Sequence, residues 1–309
     1  MLAKIYHYLD RIYYNKNFLL VYRCCKVLIN IFIPLSYMFT RRKKCNSQSN
    51  IIISLTSFPA RIGKVHLVIE SLLRQTYMPQ KIVLYLSRMQ FNSMDQIPRR
   101  LKKLCNNGYM EISFVDDDLK SHKKYYYAVK EYEGYDIITV DDDIFYPEDL
   151  VECLHKGSVD NRDTVVCLWA NSIKLKENKL CSYEEWSIED VVYDKPQMAL
   201  LPIGCAGIYY PYNSFNVKLL LDKERILELC PKADDIWLRF NTLLNGKRVV
   251  KTGYYMNFVF IDVLIRNNIS LCKENVSGGQ NDVQIANIVE VFPSVLKALL
   301  ESGEVNERS

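Results

Sequence analysis

The sequence predicts an α/β fold: a mixed, mainly parallel sheet with helices on both faces, preceded by a helical appendage. Three observations carry that expectation. From Asn50 onward, short runs rich in Ile, Val and Leu alternate with segments whose apolar residues recur at helical spacing, the rhythm of βαβ units. Polar clusters close three of the predicted strands, at Ser54–Ser57, Asp116–Asp118 and Asp141–Asp143, and ligands of parallel sheets bind beyond the carboxyl ends of the strands. Residues 1–48 differ in texture from all that follows, being rich in Tyr, Ile, Leu and Lys and closing on Arg41, Arg42, Lys43 and Lys44.

The chain divides accordingly into a basic, amphipathic segment, 1–48, and one large domain, 49–309. Of its 309 residues 49% are hydrophobic, enough for a sizeable core, and the net charge is only +4. That balance, with no zinc-finger or basic-helix pattern, gives no sign of a nucleic-acid partner. The ten cysteines include no C-x-x-C pair and fit no metal spacing. They read as reduced thiols, which points to a cytoplasmic setting. Asn268 and Asn275 match the glycosylation pattern but carry little weight without a secretory context.

Within the appendage, Asn17 to Phe39 is long enough to span a bilayer. Arg23 and Lys26 near its middle oppose that, each costing roughly 2.5–3.5 kcal/mol at a helix centre. Arg23, Lys26 and Asn30 share one helical face, as do Lys4, His7 and Arg11 earlier, the pattern of helices lying in a membrane interface. The basic run after them adds attraction to anionic lipid, and a signal peptide fits poorly. The expectation is peripheral attachment to the inner face of the cell membrane; the alternative is a helix packed on the protein's own core.

In the domain, Ile51–Leu55 reads as a strand, Lys64–Thr76 as a helix, Lys81–Leu86 as a strand, and Pro98–Cys105 as a short helix. Glu111–Val115 is a third strand and Ser121–Tyr132 a helix leading to a fourth strand, Ile137–Val140. Three aspartates follow directly. Like charges in a partly dry cleft raise one another's pKa unless a cation sits among them. Two-residue alternation would make Asp141 and Asp143 converge while Asp142 points elsewhere. Convergent carboxylates are hard ligands suited to Mg2+ or Mn2+, the competing reading being an acidic turn.

The second half is less regular. Thr164–Trp169 reads as a strand, Asn171–Lys195 as a loop, and Leu201–Pro211 as two glycines before an aromatic strand. Glycine there permits either close approach to a ligand or a bulge. A helix follows near Asn216–Leu229. Ala233-Asp234-Asp235-Ile236-Trp237 opens another that ends at Gly246, with one aspartate sufficient for a cap and the other free for chemistry. Thr252–Ile265 is strand or buried helix. Residues 277–282 read as a flexible loop before a closing helix, Val283–Leu300. The histidines His7, His66, His122 and His155 lie in unrelated settings and form no nucleophile-activating constellation.

Taken together, Ser54–Ile62 (SLTSFPARI), SLLRQTYMPQKIVLYLS, Asp117–Ala128 (DDLKSHKKYYYA), TVDDDIFYP and ADDIWLRF resemble bacterial glycosyltransferases of the GT-A (Rossmann-like) fold. The likeness is to capsule and lipopolysaccharide sugar transferases distantly related to the family-2 enzymes, over roughly 50–290. It implies transfer of a sugar from a nucleotide-diphosphate sugar, by default a UDP-sugar, to a saccharide or lipid-linked saccharide, with inversion. Asp141 would contact the ribose or donor sugar and Asp143 hold the metal; Asp142 could share either role. Ser54, Thr56, Ser57 and Arg61 would line the nucleotide pocket, Lys123 or Lys124 would meet the phosphates, and Gly204 and Gly207 would lie against the donor sugar. Asp234-Asp235-Ile236-Trp237-Leu238 resembles the E-D-x-x-L motif of inverting members, with Asp235 as catalytic base and Asp234 in place of the acceptor-binding Glu. Two rivals are a haloacid dehalogenase-like phosphohydrolase, whose D-x-D normally sits on the first core strand, and a non-catalytic nucleotide-sugar binding module, which needs no base.

Overall fold

The computed structural model describes residues 19–188, 195–252, 259–261, 275 and 278–304. Lys4, His7, Arg11, Asn268 and most of 252–265 lie outside the described residues. Helix α1 (Leu19–Ser36) leads to β1 (Ile51–Thr56), α2 (Ile62–Leu72), β2 (Lys81–Ser87), α3 (Arg99–Asn106), β3 (Glu111–Val115), α4 (Lys123–Glu131) and β4 (Asp136–Thr139). All follow the predicted order, with ends displaced by a few residues. Next come β5 (Ile144–Phe145), α5 (Leu150–Asp160), β6 (Val165–Cys167), β7 (Ala170–Ser172), β8 (Leu175–Lys176), β9 (Lys179–Leu180) and β10 (Ser187–Ile188). The described chain closes with β11 (Leu200–Pro202), β12 (Ile208–Tyr210), α6 (Val217–Leu220), α7 (Lys223–Leu229), α8 (Asp234–Leu244), β13 (Val249–Lys251), β14 (Val259–Phe260), α9 (Gln280–Val291) and α10 (Ser294–Ser302).

Seven strands form the main sheet in the order β13-β6-β12-β4-β1-β2-β3. β4, β1, β2 and β3 run parallel to one another, Ile53 lying opposite Ile82 on one side and Ile138 on the other. The mainly parallel α/β sheet expected from the alternation is therefore present. Period-two alternation along β1 sends Ile51, Ile53 and Leu55 to one face, where they pack with α2, α3 and α5. Ile52 goes to the other face with Val83, Tyr85 and Ala128 of α4. The cluster on Ile208 and Tyr210 collects α8, α9 and α10. Both faces are thus dry, as a parallel sheet requires.

Four differences from the sequence reading have physical causes. The aromatic strand β12 lies in the middle of the sheet and runs antiparallel to both β4 and β6. That direction brings the Tyr209 hydroxyl to Asp136 at the amino end of β4, 2.5 Å away. The stretch expected as a loop, Asn171–Lys195, carries β7 to β10, with β7 pairing to β10 and β11. The helix expected over Asn216–Leu229 is two, because the Asn216 and Asp222 side chains each cap a fresh start. The closing helix is also two, bent by 97° at a break holding Pro293.

The described part of the appendage packs on the domain. Ile29 is buried in the first cluster, with Ile33 and Tyr37 against it. Arg74 stacks its guanidinium over Tyr37 and joins Glu70, which also takes a two-pronged contact from Arg42.

Candidate active site

Strands β1, β3 and β4 end at one rim of the sheet, and the segments beyond them line a cleft of about 430 Å³. A volume of that size suits a small ligand. Thr56 and Ser57 enter from β1, Asp118 from β3, and Asp141 and Asp142 from β4. From the opposite side come Ile203, Cys205, Asp234 and Asp235. The three polar strand ends singled out in the sequence therefore share one space, together with the acidic helix start.

Lys124 joins the two sides. Its ammonium sits 2.8 Å from Asp141 Oδ1 and 2.8 Å from Asp234 Oδ2, with the side chain almost wholly buried. Burial disfavours its charge, but Asp141, Asp234 and Asp235 together push its pKa well above the ordinary value. It is a permanent cation in the floor of the cleft. Asp234 gains from the same pairing: burial works against its carboxylate, and Lys124 overrides that and holds its pKa down.

Asp235 is in the opposite state. Burial, then the charge of Asp234, pushes its carboxyl up to about 7. Its Oδ2 accepts a 2.9 Å hydrogen bond from the Gly204 amide, while Oδ1 is buried with no hydrogen-bond partner among the described residues. Glycine at 204 leaves that carboxylate its place, since a Cβ would meet Asp235 Oδ1 at 2.5 Å and displace it. Neither aspartate caps α8. The cap position is Ala233, without a side-chain bond, so the capping expectation does not hold. Both acids are in the first turn, where the helix dipole favours negative charge.

The acidic triplet is arranged differently from its expected alternation. β4 ends at Thr139, so the two-residue period stops short of the aspartates. Asp141 turns to Lys124, whereas Asp142 and Asp143 share Arg61, at 3.0 and 2.7 Å from its Nη1. Ser57 adds a 2.5 Å hydroxyl bond to Asp142. Burial raises the Asp142 carboxyl despite Arg61, and Asp143 is pushed up to about 7 by burial with the charges of Asp141 and Asp142 added. The phenol of Tyr146 fixes the turn, accepting from the Asp141 amide at 2.8 Å and donating to the Cys205 carbonyl at 3.0 Å.

The remaining predicted residues divide. Thr56 lines the cleft while its hydroxyl holds the Tyr85 carbonyl. Lys123 also lines it, paired with Asp118. Ser54 does not line it: it sits on the α4 side of β1 and bonds the Lys124 carbonyl. Asp143, Gly204 and Gly207 are not among the lining residues either. Gly207 has φ of 87° and packs against Leu150 and Leu154, a backbone turn that favours glycine. The sequence reading missed Gln90, Tyr183, Lys232, Asn275 and Asn281, all of which line the cleft. Gln90 holds Asp118 at 2.8 Å, and Asn281 opens α9 with a buried carbonyl oxygen that has no partner among the described residues. The only sequence signal was the polar SGGQND stretch, read as a flexible loop.

Among the described residues no group of three or more His, Cys, Asp or Glu side chains is arranged to hold an ion. The charge balance nevertheless fits one. Among the described residues, the group Asp141, Asp142, Asp143, Asp234 and Asp235 draws ion pairs from Arg61 and Lys124, and two of the five carboxyls remain raised to about 7. A hard divalent cation on the triplet, with ligand oxygens completing its shell, would relieve that excess.

The fold and cleft define an α/β protein with an acid-lined cleft beyond the ends of its parallel strands. No family model and no curated protein matches the sequence. Solved structures resemble it weakly. TarS 1-349 of S. aureus with UDP is 13% identical, with a TM-score of 0.45 over 81% of this chain and 70% of that one. The mannosyltransferase PcManGT of Pyrobaculum calidifontis with GDP-Man and Mn2+ is 11% identical, with a TM-score of 0.45 over 99% and 88%. A 4-diphosphocytidyl-2C-methyl-D-erythritol synthase is 10% identical, with a TM-score of 0.42 over 73% and 95%.

Proposed function

We propose that the chain is a glycosyltransferase of GT-A type, moving a sugar from a nucleotide-diphosphate sugar, by default a UDP-sugar, to a saccharide or lipid-linked hydroxyl in surface-polysaccharide synthesis, with inversion. One observation carries the reading: Asp235, a buried carboxyl raised to about 7, lines the same cleft as Asp141 and Asp142, and its neighbour Asp234 is joined to Asp141 through Lys124. A carboxyl of that pKa can take a proton at neutral pH, which deprotonation of an attacking alcohol requires. Simple binding needs no such group, which disfavours a non-catalytic module.

In this reading Thr56, Ser57 and Arg61 receive the nucleotide, and Lys123 and Lys124 face its diphosphate. Asp141 and Asp143 would hold Mn2+ or Mg2+, which when bound supplies positive charge to the departing diphosphate. Arg61, shared by Asp142 and Asp143, keeps the triplet in place before ligand enters. Asp235 accepts the proton as the acceptor oxygen bonds to the anomeric carbon and the bond from that carbon to the diphosphate oxygen breaks. Asp234, held as a carboxylate by Lys124, orients the acceptor and keeps Asp235 raised. The phosphohydrolase alternative gains nothing from the topology, since the acidic triplet follows the fourth strand of the sheet in chain order.

Calorimetric titration with a panel of nucleoside diphosphates, with and without Mn2+, tests the binding half. Asp143→Asn should abolish metal-dependent binding; unchanged metal-dependent binding would remove the metal assignment. Release of inorganic phosphate from simple esters without any sugar acceptor would favour the phosphohydrolase instead.

A further inference from the structure

Helix α1 has two apolar faces, and only one is used by the domain. Ile29 and Ile33 point inward to the first core cluster, and Asn30 bonds the Phe260 carbonyl at 3.2 Å. On the outer side Val27, Leu28, Ile31, Phe32 and Leu35 follow one another at helical spacing, each 46–51% exposed. The stripe runs on into Met38 and Phe39, exposed at 77% and 89%. A contiguous apolar strip of this kind on a chain surface marks an interaction site. No single described helix is long and apolar enough to cross a membrane. A one-sided apolar strip of this kind suits lying in the plane of a bilayer surface.

What covers it is indicated by charge. The strip ends at the basic run, and of its four residues only Arg42 meets a carboxylate among the described residues. Lys43 and Lys44 bond backbone carbonyls, and Arg41 is exposed, so the run keeps positive charge beside the exposed Met38 and Phe39. We propose that α1 docks by Val27, Leu28, Ile31, Phe32 and Leu35 on an anionic lipid bilayer, with the basic run against the headgroups. The helix would also fix where the cleft sits. Tyr37 packs edge-on against Phe145 of β5, two residues after Asp143, and Ile261 after β14 bonds the Asp143 carbonyl at 2.7 Å. The acidic triplet is therefore attached to the lipid-facing helix through one strand pair, which suits an acceptor presented at a membrane surface. Lipid docking stands independently of sugar transfer.

The test is cosedimentation of the full chain with phosphatidylcholine vesicles and with vesicles containing phosphatidylglycerol, for the wild type and for Leu28→Glu/Ile31→Glu/Leu35→Glu. These side chains are half exposed, so the circular dichroism spectrum and unfolding midpoint should be retained. Wild type should bind the anionic vesicles, and the triple variant at least roughly tenfold more weakly, given the apolar area lost from the interface. Wild-type protein that fails to bind anionic vesicles, or a variant that binds as tightly as wild type, overturns the proposal. So does a wild-type dimer in analytical ultracentrifugation that the triple variant dissolves, since a second copy would then own the strip.

Discussion

Replacing Gly204 by alanine isolates the proposed base more cleanly than replacing the base itself. The added methyl would stand 2.5 Å from Asp235 Oδ1 and 3.2 Å from both Cγ and Oδ2, where ordinary contact begins at 3.4 Å. The backbone at 204 has no positive φ, so alanine brings no conformational strain of its own. The carboxylate therefore has to move by about 1 Å, and a displacement of that size in a reacting group costs about 10²-fold in turnover. The 2.9 Å bond from the Gly204 amide stretches at the same time. That bond favours the charged carboxylate, so weakening it moves the Asp235 pKa above its present value of about 7. Measured as kcat/KM against pH with a nucleotide-sugar donor, Gly204→Ala should turn over roughly 10- to 10²-fold more slowly. Its alkaline plateau should be reached later, while nucleoside diphosphate affinity is retained. Turnover within about twofold of wild type, with an unshifted profile, would refute Asp235 as the proton acceptor.

Asp235→Asn should keep nucleotide binding and lose roughly 10²- to 10⁴-fold in turnover, and an unfolded variant would point to a structural role instead. Because the folded-state pKa values of Asp143 and Asp235 lie above their unfolded value of 3.8, the stability they add is present at acid pH and lost as pH rises through about 7. The unfolding midpoint of ligand-free wild type should thus fall between about pH 4 and 7 and level off above, an effect on the order of 1–4 kcal/mol, and Asp235→Asn should flatten part of it. Lys124→Met leaves Asp141 and Asp234 without their shared cation and should destabilise the fold by about 3–5 kcal/mol in denaturant titration; an unchanged midpoint would mean water replaces it without loss. Gly207→Ala should cost about 1–3 kcal/mol through its positive-φ backbone yet leave the turnover of folded protein alone, separating the two glycines of one motif.

Much of this protein was legible in the chain itself. The β-α alternation from Ile51 to Val140, the acid clusters at the strand ends and the acidic start of α8 are local patterns, set by periods of two and 3.6 residues that survive in any context. They suffice for the fold class, for placing Asp141, Asp142 and Asp143 beyond a strand end, and for placing Asp234 and Asp235 at the start of a helix. Which side chains meet was not legible, because partners are chosen by elements far apart in sequence. Asp141 turns to Lys124 and leaves Arg61 to its two neighbours because the strand has already ended at Thr139. Ser54 faces α4 rather than the cleft because it shares the face of Ile52. Gly204 and Gly207, three residues apart, part company because one lies under Asp235 and the other over Leu150. The antiparallel insertion of β12 between β4 and β6 is likewise a pairing choice, and an apolar run carries no sign of its own direction. Composition and period decide which residues are dry and which elements form; only closure of the sheet decides which charges are left facing one another.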